Sequence, residues 1–157
     1  MYWSKPKDKH IIYEALSAIS DNRFNPSSES LAVCFSSSKD KFYTIEYDKN
    51  TNSIMSNDNM AFYVGEVSYP MVALLLSNGT IEYDKEILKP LSGIKWKEIN
   101  QKNRNDYMKS VAEVLANLKS KGHDILIVEK EVDRIYSEVL KLNLKMLGQK
   151  VFPPKVF

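Results

Sequence analysis

Apolar residues recur along the chain with two different periods, and the change of period divides the sequence into regions. Within residues 30–68 they fall in short runs rich in β-branched and aromatic residues, separated by polar stretches. The runs are LAVCFSS, KFYTIEYD, NSIMS and AFYVGEV. Short runs bounded by Ser, Asn and Asp are typical of strands joined by tight turns. The pattern therefore predicts an antiparallel meander of three or four strands over residues 30–68.

Helical spacing flanks this meander on both sides. Within residues 1–20, apolar residues recur every three or four positions and predict an N-terminal helix. These positions are Ile11, Ile12, Ala15, Leu16 and Ile19. Residues 69–148 are predicted to be helical, and two long helices close this region, separated by the KGHD elbow. The second of these helices begins after Asp124 and is predicted to continue to Gly148.

Together these segments predict a single α+β domain over residues 1–157. It consists of an N-terminal helix, a three- to four-stranded antiparallel meander and a helical C-terminal half that ends in an antiparallel helical hairpin. The length of 157 residues is that of one ordinary domain, and a composition of 43% hydrophobic and 27% charged residues is typical of globular proteins.

The hexapeptide TIEYDK occurs twice, beginning at Thr44 and again at Thr80, but the residues around the two copies do not align. We therefore interpret the identity as coincidence and not as a structural repeat. The residues that flank each copy predict different structural roles for the identical hexapeptide. Asp48 should open a hairpin turn in the first copy, and Asp84 should cap a helix in the second.

The last predicted helix carries two apolar stripes, so that its C-terminal half is apolar over about 200°, against roughly 100° for a one-sided surface helix. The second stripe consists of Tyr136, Leu140, Leu144 and Leu147, and Asn143 lies among these residues. Such a helix needs two partners. Either the sheet and the preceding helix cover both stripes within one chain, or a second copy of the chain covers one of them.

The last nine residues, 149–157, form an apolar tail that two prolines hold out of a helix. This tail should run extended, and it either packs across its own domain or docks on a partner. The candidate interface therefore combines the second stripe with the tail. Its residues are Tyr136, Leu140, Asn143, Leu144, Leu147, Phe152 and Phe157.

The charge balance gives no strong preference for nucleic acid, because 22 basic and 20 acidic residues leave a net charge of only +2. Lysines interleaved with tyrosines nevertheless favour weak nucleic-acid binding as an alternative. The candidate contacts are Lys41, Tyr43, Tyr47 and Tyr63. Against this alternative, Tyr43 and Tyr47 share a strand face with Ile45, which predicts that this face is turned to the core.

No common catalytic or nucleotide-binding signature is present, and we expect neither a cofactor nor a metal. The segment Asp48 to Asn59 begins like a calcium loop, but Ser53 and Asn59 replace the required Gly and Glu. The adjacent His123 and Asp124 are interpreted as a turn residue and a helix cap. Whether the protein is an enzyme stays open, and an active site could be assembled from scattered carboxylates such as Glu46, Glu66 and Glu82.

These features lead to a non-enzymatic interaction module as the first hypothesis, with a protein or a second copy of the chain as partner. Its N-terminus has no continuous apolar stretch of the kind that a signal peptide needs. The longest apolar run, PMVALLL, is far shorter than the roughly 20 residues of a membrane span. We therefore expect a cytoplasmic protein without a membrane partner.

Overall fold

The order of elements along the chain is given by a computed structural model, which describes residues 1–155. Its helices are α1 His10–Ser20, α2 Tyr69–Ser77, α3 Trp96–Lys102, α4 Tyr107–Ser120 and α5 Ile125–Lys141. Its strands are β1 Phe24–Pro26, β2 Leu31–Phe35, β3 Phe42–Asp48, β4 Ser53–Ser56 and β5 Lys145–Met146. A π-helical turn, Met60–Val64, and a 3-10 helix, Lys85–Leu91, complete these elements. Val156 and Phe157, which were assigned to the tail, lie outside the described residues.

The five described strands form one sheet in the order β1-β2-β3-β4-β5. All neighbours are antiparallel except β4 and β5, which are parallel. In β3, burial alternates along the strand, with Tyr43, Ile45 and Tyr47 on the buried face. The predicted α+β class and the inward orientation of this face are therefore confirmed.

Helix α2 is the centre of the core, since residues 70–76 are all buried. A helix that is apolar all round must be covered on every side. Strands β1, β3 and β4 contact α2, and so does α1. Helix α1 in turn contacts the 3-10 helix, α4 and α5. It is therefore enclosed by packed elements along most of its length.

The prediction of a strand at AFYVGEV is wrong, because Met60–Val64 forms a π-helical turn. The Asp58 carboxylate accepts a hydrogen bond from the backbone N–H of Ala61 at 3.0 Å and so turns the chain directly after β4. The turn ends at Gly65, whose φ of 78° lies in the left-handed region that glycine adopts without strain. Strand β1 was also missed, since the predicted strands began only at residue 30.

The last helix is shorter than predicted, because it ends at Lys141 and not at Gly148. Beyond it, Lys145 N–H donates to the Asn52 carbonyl at 3.0 Å, and Leu147 N–H donates to the Ile54 carbonyl at 3.1 Å. The backbone groups that would have continued the helix therefore join the sheet. Local periodicity cannot reveal this pairing, because the partner strand lies about ninety residues earlier in the sequence.

The N-terminal segment, residues 1–6, covers the second stripe within the same chain. Trp3 N–H donates to the Leu144 carbonyl at 2.9 Å, and the Trp3 indole donates to the Ile54 carbonyl at 2.8 Å. The Tyr136 hydroxyl donates to the Pro6 carbonyl at 2.8 Å. The intramolecular partner of this stripe is thus the N-terminal segment. The sequence had placed residues 1–20 in the N-terminal helix, but that helix begins only at His10.

We predict that Trp3→Ala lowers the free energy of unfolding by about 3–5 kcal/mol, because it removes a buried aromatic side chain. Tyr2→Ala is the matched control, since Tyr2 is 59% exposed. It should change stability by no more than about 0.5 kcal/mol. Denaturant unfolding of both variants measures the difference, and equal losses would show that the N-terminal segment contributes no specific packing.

Candidate functional site

A cavity of about 440 Å³ opens between the first turns of α1, the π-helical turn, the β2–β3 hairpin and α3. Polar side chains form much of its wall. They include His10, Glu14, Lys41, Tyr43, Asp58, Asn59, Tyr69, Lys97, Asn100, Gln101, Asn105 and Tyr107. Large concave sites with convergent polar groups are the usual location of ligand binding. We call this space the main cavity.

Helix α1 places His10 and Glu14 one turn apart on the same side, because residues four apart are neighbours on a helix. His10 Nε2 lies 3.5 Å from Glu14 Oε2. The imidazole stacks on the Tyr107 ring, with the ring centres 4.0 Å apart and the planes only 6° from parallel. This stacking fixes the imidazole plane at the cavity wall.

Asp8 completes a line of three side chains, which we call the triplet: Asp8, His10 and Glu14. Asp8 Oδ1 contacts His10 Nδ1 and also accepts the His10 backbone N–H at 3.3 Å. With its proton on Nδ1, the ring donates to Asp8 and presents the Nε2 lone pair to Glu14. Asp8 therefore orients the imidazole and selects its tautomer.

Burial raises the pKa of the Glu14 carboxyl to about 8, because desolvation disfavours the charged form. The carboxylates of Asp8 and Asp58 act in the same direction, whereas the Arg23 charge and a hydrogen bond with the Asn100 side chain lower the pKa. The side chain is still 15% exposed. Glu14 is therefore a carboxyl that can hold or release a proton near neutral pH.

Burial lowers the pKa of His10, although the hydrogen bond to Asp8 and the charges of Asp8 and Glu66 oppose this shift. The imidazole is therefore neutral under the conditions in which Glu14 begins to ionise. In this state the proton lies on the Glu14 carboxyl, and the Nε2 atom of His10 carries a lone pair. This pair is suited to acid–base chemistry.

Asp58, although it lies in the same wall, is engaged in holding the fold. Its carboxylate accepts hydrogen bonds from the Ser56 and Ser68 hydroxyls, both at 2.5 Å, and from the Ala61 backbone. A carboxylate with these donors is satisfied while charged. Asp58 therefore fixes the π-helical turn against α2, and its negative charge helps to keep Glu14 protonated.

At the opening of the main cavity, contacts between α3 and the β2–β3 hairpin fix these two elements to each other. Lys97 Nζ pairs with Asp40 at 3.0 Å, and Lys97 N–H donates to the Ser37 hydroxyl at 3.0 Å. Hydrogen bonds from Ser38 and Lys97 lower the pKa of Asp40. Deeper in the wall, Asn100 is buried, and its Oδ1 atom has no hydrogen-bond partner within residues 1–155. This buried amide oxygen is therefore left without a donor in the described part of the chain.

The scattered carboxylates named from the sequence do not form one site. Glu46 and Glu82 are exposed, whereas Glu66 is buried in the wall of a smaller cavity beside the main one. Asp124 caps α5 by accepting the Leu126 N–H at 3.1 Å, and Asp48 accepts the Asn50 N–H in the hairpin turn at 2.9 Å. The interpretation of these two aspartates as cap and turn residues is confirmed.

The candidate nucleic-acid contacts are only partly brought together. Lys41, Tyr43 and Tyr63 line the main cavity, and the Lys41 ammonium lies 5.6 Å from the centre of the Tyr43 ring. Tyr43 and Tyr47 are buried, whereas Tyr63 is exposed. Stacking on bases requires accessible ring faces. Nucleic-acid binding stays a prediction, with one exposed ring to support it.

The candidate interface residues occupy several environments. Leu144 is buried, whereas Tyr136, Leu140 and Leu147 are half-buried. Asn143 is exposed, and its carbonyl accepts a hydrogen bond from the Asn52 side chain at 3.1 Å. Phe152 is exposed, and its ring centre lies 4.5 Å from that of Phe62. Self-association through these residues stays a prediction.

Sequence reasoning did not identify the triplet. A signal was present, since Glu14 is the one acid in the otherwise apolar or small segment IIYEALSAIS of the predicted helix. Ionised carboxylates are seldom buried without a partner, so an acid in such a helix marks either an ion pair or a functional group. The residues that complete the site come from α3 and the start of α4, and no local pattern links them to α1.

Within the part of the chain that the structure describes, no group of three or more His, Cys, Asp and Glu side chains could hold a metal ion. No described helix is long and apolar enough to cross a membrane. No curated protein and no solved structure matches the chain at a significant level. A family model described as "Uncharacterised conserved protein UCP014422" matches residues 3–145, which include the triplet and the cavity wall. The chain therefore belongs to this family.

Proposed function

We propose that the protein binds a small polar molecule in the main cavity and exchanges a proton with it through Glu14. The observation that carries this proposal is the triplet, which ends at the cavity in a carboxyl whose pKa is raised to about 8. General acids and bases work best when their pKa lies near the operating pH. Perturbed carboxyls in concave sites are favoured candidates for this role.

The contacts within the site suggest a separate role for each residue. Glu14 donates its proton to the ligand, and the nearby Arg23 charge stabilises the carboxylate that remains. His10 accepts or returns a proton at Nε2, while Asp8 holds its ring in one orientation. The Asn100 side chain borders the space that the ligand occupies, and the tyrosines of the wall offer the ligand apolar ring surface. The supported activity is acid–base chemistry on a polar small molecule.

We predict that Glu14→Gln flattens the decline of stability with rising pH. The folded pKa of about 8 lies above the reference value of 4.5. Between these values the folded state retains a proton that the unfolded state has lost, so stability falls as pH rises. One such proton changes the free energy of unfolding by at most about 1.4 kcal/mol per pH unit. Denaturant unfolding at a series of pH values measures both slopes.

His10 contributes in the opposite direction, because its lowered pKa makes stability rise with pH up to its reference value of 6.5. The informative quantity is therefore the difference between wild type and Glu14→Gln, in which the His10 contribution cancels. This difference should grow in favour of the variant from about pH 4.5 to about pH 8 and stay constant at higher pH. NMR titration of the Glu14 carboxyl carbon gives the pKa directly. An ordinary carboxyl pKa, or parallel stability curves, would contradict the proposal.

We further predict that a screen of small polar metabolites finds ligands that stabilise the protein against heat. A ligand at about 100 times its Kd adds about 2.7 kcal/mol, which raises Tm by about 5 °C or more in a domain of this size. For each ligand found, calorimetry in two buffers of different ionisation heat counts the protons exchanged on binding. On binding the ligand, wild type should exchange a fraction of one proton with the buffer, whereas Glu14→Gln should exchange none.

Glu98→Gln is the matched control for this experiment, because Glu98 is an exposed glutamate on α3 beside the cavity mouth. It should exchange protons as wild type does. The proposal fails if no polar molecule stabilises the protein. It also fails if the number of protons exchanged on binding is the same in Glu14→Gln as in wild type.

A second candidate function is self-association, which a patch around the C-terminal tail supports. This tail patch consists of Tyr63, Val64, Val151 and Phe152, which are 71%, 53%, 52% and 74% exposed. Contiguous exposed apolar residues often mark interaction surfaces. Because the net charge is only +2, two copies repel each other weakly.

We predict that light scattering gives twice the mass of one chain at high protein concentration, and that Phe152→Asp restores the mass of one chain. Leu126→Asp is the control, because Leu126 is 73% exposed but lies at the start of α5, outside the tail patch. It should leave the dimer intact. A single-chain mass at every concentration would exclude self-association.

A further inference from the structure

A smaller cavity of about 240 Å³ lies beside the main cavity, and we call it the side cavity. Its wall consists of Pro6, Lys7, Asp8, His10, Ile11, Met60, Val64, Glu66, Val67 and Tyr107. Five of these residues also line the main cavity: His10, Ile11, Met60, Val64 and Tyr107. The stacked rings of His10 and Tyr107 therefore form a wall common to the two spaces.

Glu66 is the unusual member of this wall. The residue is only 7% exposed, and its Oε1 atom is buried without a hydrogen-bond partner in the described part of the chain. The backbone around it is fixed, since Ser4 N–H donates to the Gly65 carbonyl at 2.9 Å and Val67 N–H donates to the Ser4 carbonyl at 3.0 Å. Burying a carboxylate without a donor or cation is costly, so this oxygen requires a partner that the fold itself does not supply.

The other polar groups of the side cavity are negative or neutral, with one exception. Asp8 contacts the imidazole of His10, whose pKa burial lowers. Lys7 is the cation of the wall, but it is exposed and forms no ion pair with Glu66 among residues 1–155. The electrostatic environment of the side cavity therefore favours a positively charged guest over an anion.

The other residues of the side cavity indicate which class of cation it can bind. Pro6, Ile11, Met60, Val64 and Val67 are apolar and line the same space. A metal ion would need several polar ligands, and no group of three metal-binding side chains occurs among the described residues. An alkylammonium ion fits both features, because its methylene groups contact apolar side chains and its three N–H donors pair with carboxylate oxygen.

We propose that the side cavity binds the primary ammonium group of the ligand, with Glu66 as its counter-ion. The ammonium pairs with the Glu66 carboxylate, and the adjoining alkyl stem packs against Ile11 and Val64. The polar remainder of the same ligand extends past the His10 and Tyr107 rings toward the main cavity, which lies on the other side of them. This inference rests on the proposed function and gives its ligand class: an amine with a polar group at the other end.

The test uses butylammonium chloride and, as the uncharged counterpart, 1-butanol. Binding is followed by amide chemical shifts in NMR titrations of the full chain at neutral pH. Butylammonium should shift the signals of residues in the side cavity, and 1-butanol should bind at least about tenfold more weakly. Glu66→Gln should weaken butylammonium binding by about tenfold or more, since the charge-assisted hydrogen bond is lost.

Glu82→Gln is the matched control, because Glu82 is an exposed glutamate outside the side cavity and its substitution should leave butylammonium affinity unchanged. Lys7→Ala should also leave it within about twofold. A gain of about tenfold would show that Lys7 occupies Glu66 in solution, and this would overturn the proposal. Equal binding of 1-butanol, or undiminished binding to a folded Glu66→Gln, would overturn it as well.

Failure of this inference can be separated from failure of the proposed function. Butylammonium binding should persist in Glu14→Gln, because the short amine does not need the carboxyl of the main cavity. If polar ligands exchange a proton through Glu14 while butylammonium does not bind, the ammonium site is wrong and the acid–base role stands. If butylammonium binds through Glu66 while no ligand depends on Glu14, the ammonium site stands and the acid–base role fails.

Discussion

The complete burial of α2 is the constraint on which the rest of the structure depends. Its apolar residues, 70–76, have no face that could meet water, so the sheet covers one side and α1 covers another. Helix α1 is then itself enclosed by α4, α5 and the 3-10 helix. Glu14 is desolvated because its helix, α1, packs between α2 and these outer elements. Desolvation is the largest cause of its raised pKa. The raised pKa of Glu14 is thus a consequence of core packing.

Three acids on or beside α1 are shielded from water, and they differ in the hydrogen-bond donors that the fold provides to their carboxyl groups. Asp58 accepts hydrogen bonds from two serine hydroxyls and a backbone N–H. Glu14 has a weaker set of donors, and its raised pKa keeps a proton on it instead. Glu66 has an oxygen without any donor among the described residues. The three carboxyls therefore differ in how many hydrogen-bond donors the fold supplies to them, and the two with fewer donors are the ones assigned to a ligand in the proposals above.

The sequence predicted elements well wherever local signals were sufficient. The two copies of TIEYDK adopt the different structures that their neighbours indicate, since Asp48 accepts from Asn50 in a turn and Asp84 accepts the Glu86 N–H at a helix start. AFYVGEV was misassigned because its aromatic and β-branched residues match a strand, whereas Asp58 bends the backbone into a π-helical turn. The end of α5 was misassigned because pairing of Lys145–Met146 with β4 depends on residues distant in sequence. The site escaped prediction for the same reason, since His10 meets Tyr107 only in the folded chain.

The position of the N-terminal segment has a consequence for folding during synthesis. Trp3 is bound to Leu144 and Ile54, and Tyr2 forms a bridge with Lys145, so this segment requires partners from almost the whole length of the chain. A growing chain can pair Trp3 and Ser4 with partners in residues 54–67 early, but Tyr2 and Trp3 gain their contacts with Lys145 and Leu144 only after α5 has been made. Closing such a long-range contact is entropically costly and slow. Residues 1–3 are therefore made well before the residues at 144–146 that complete their native contacts.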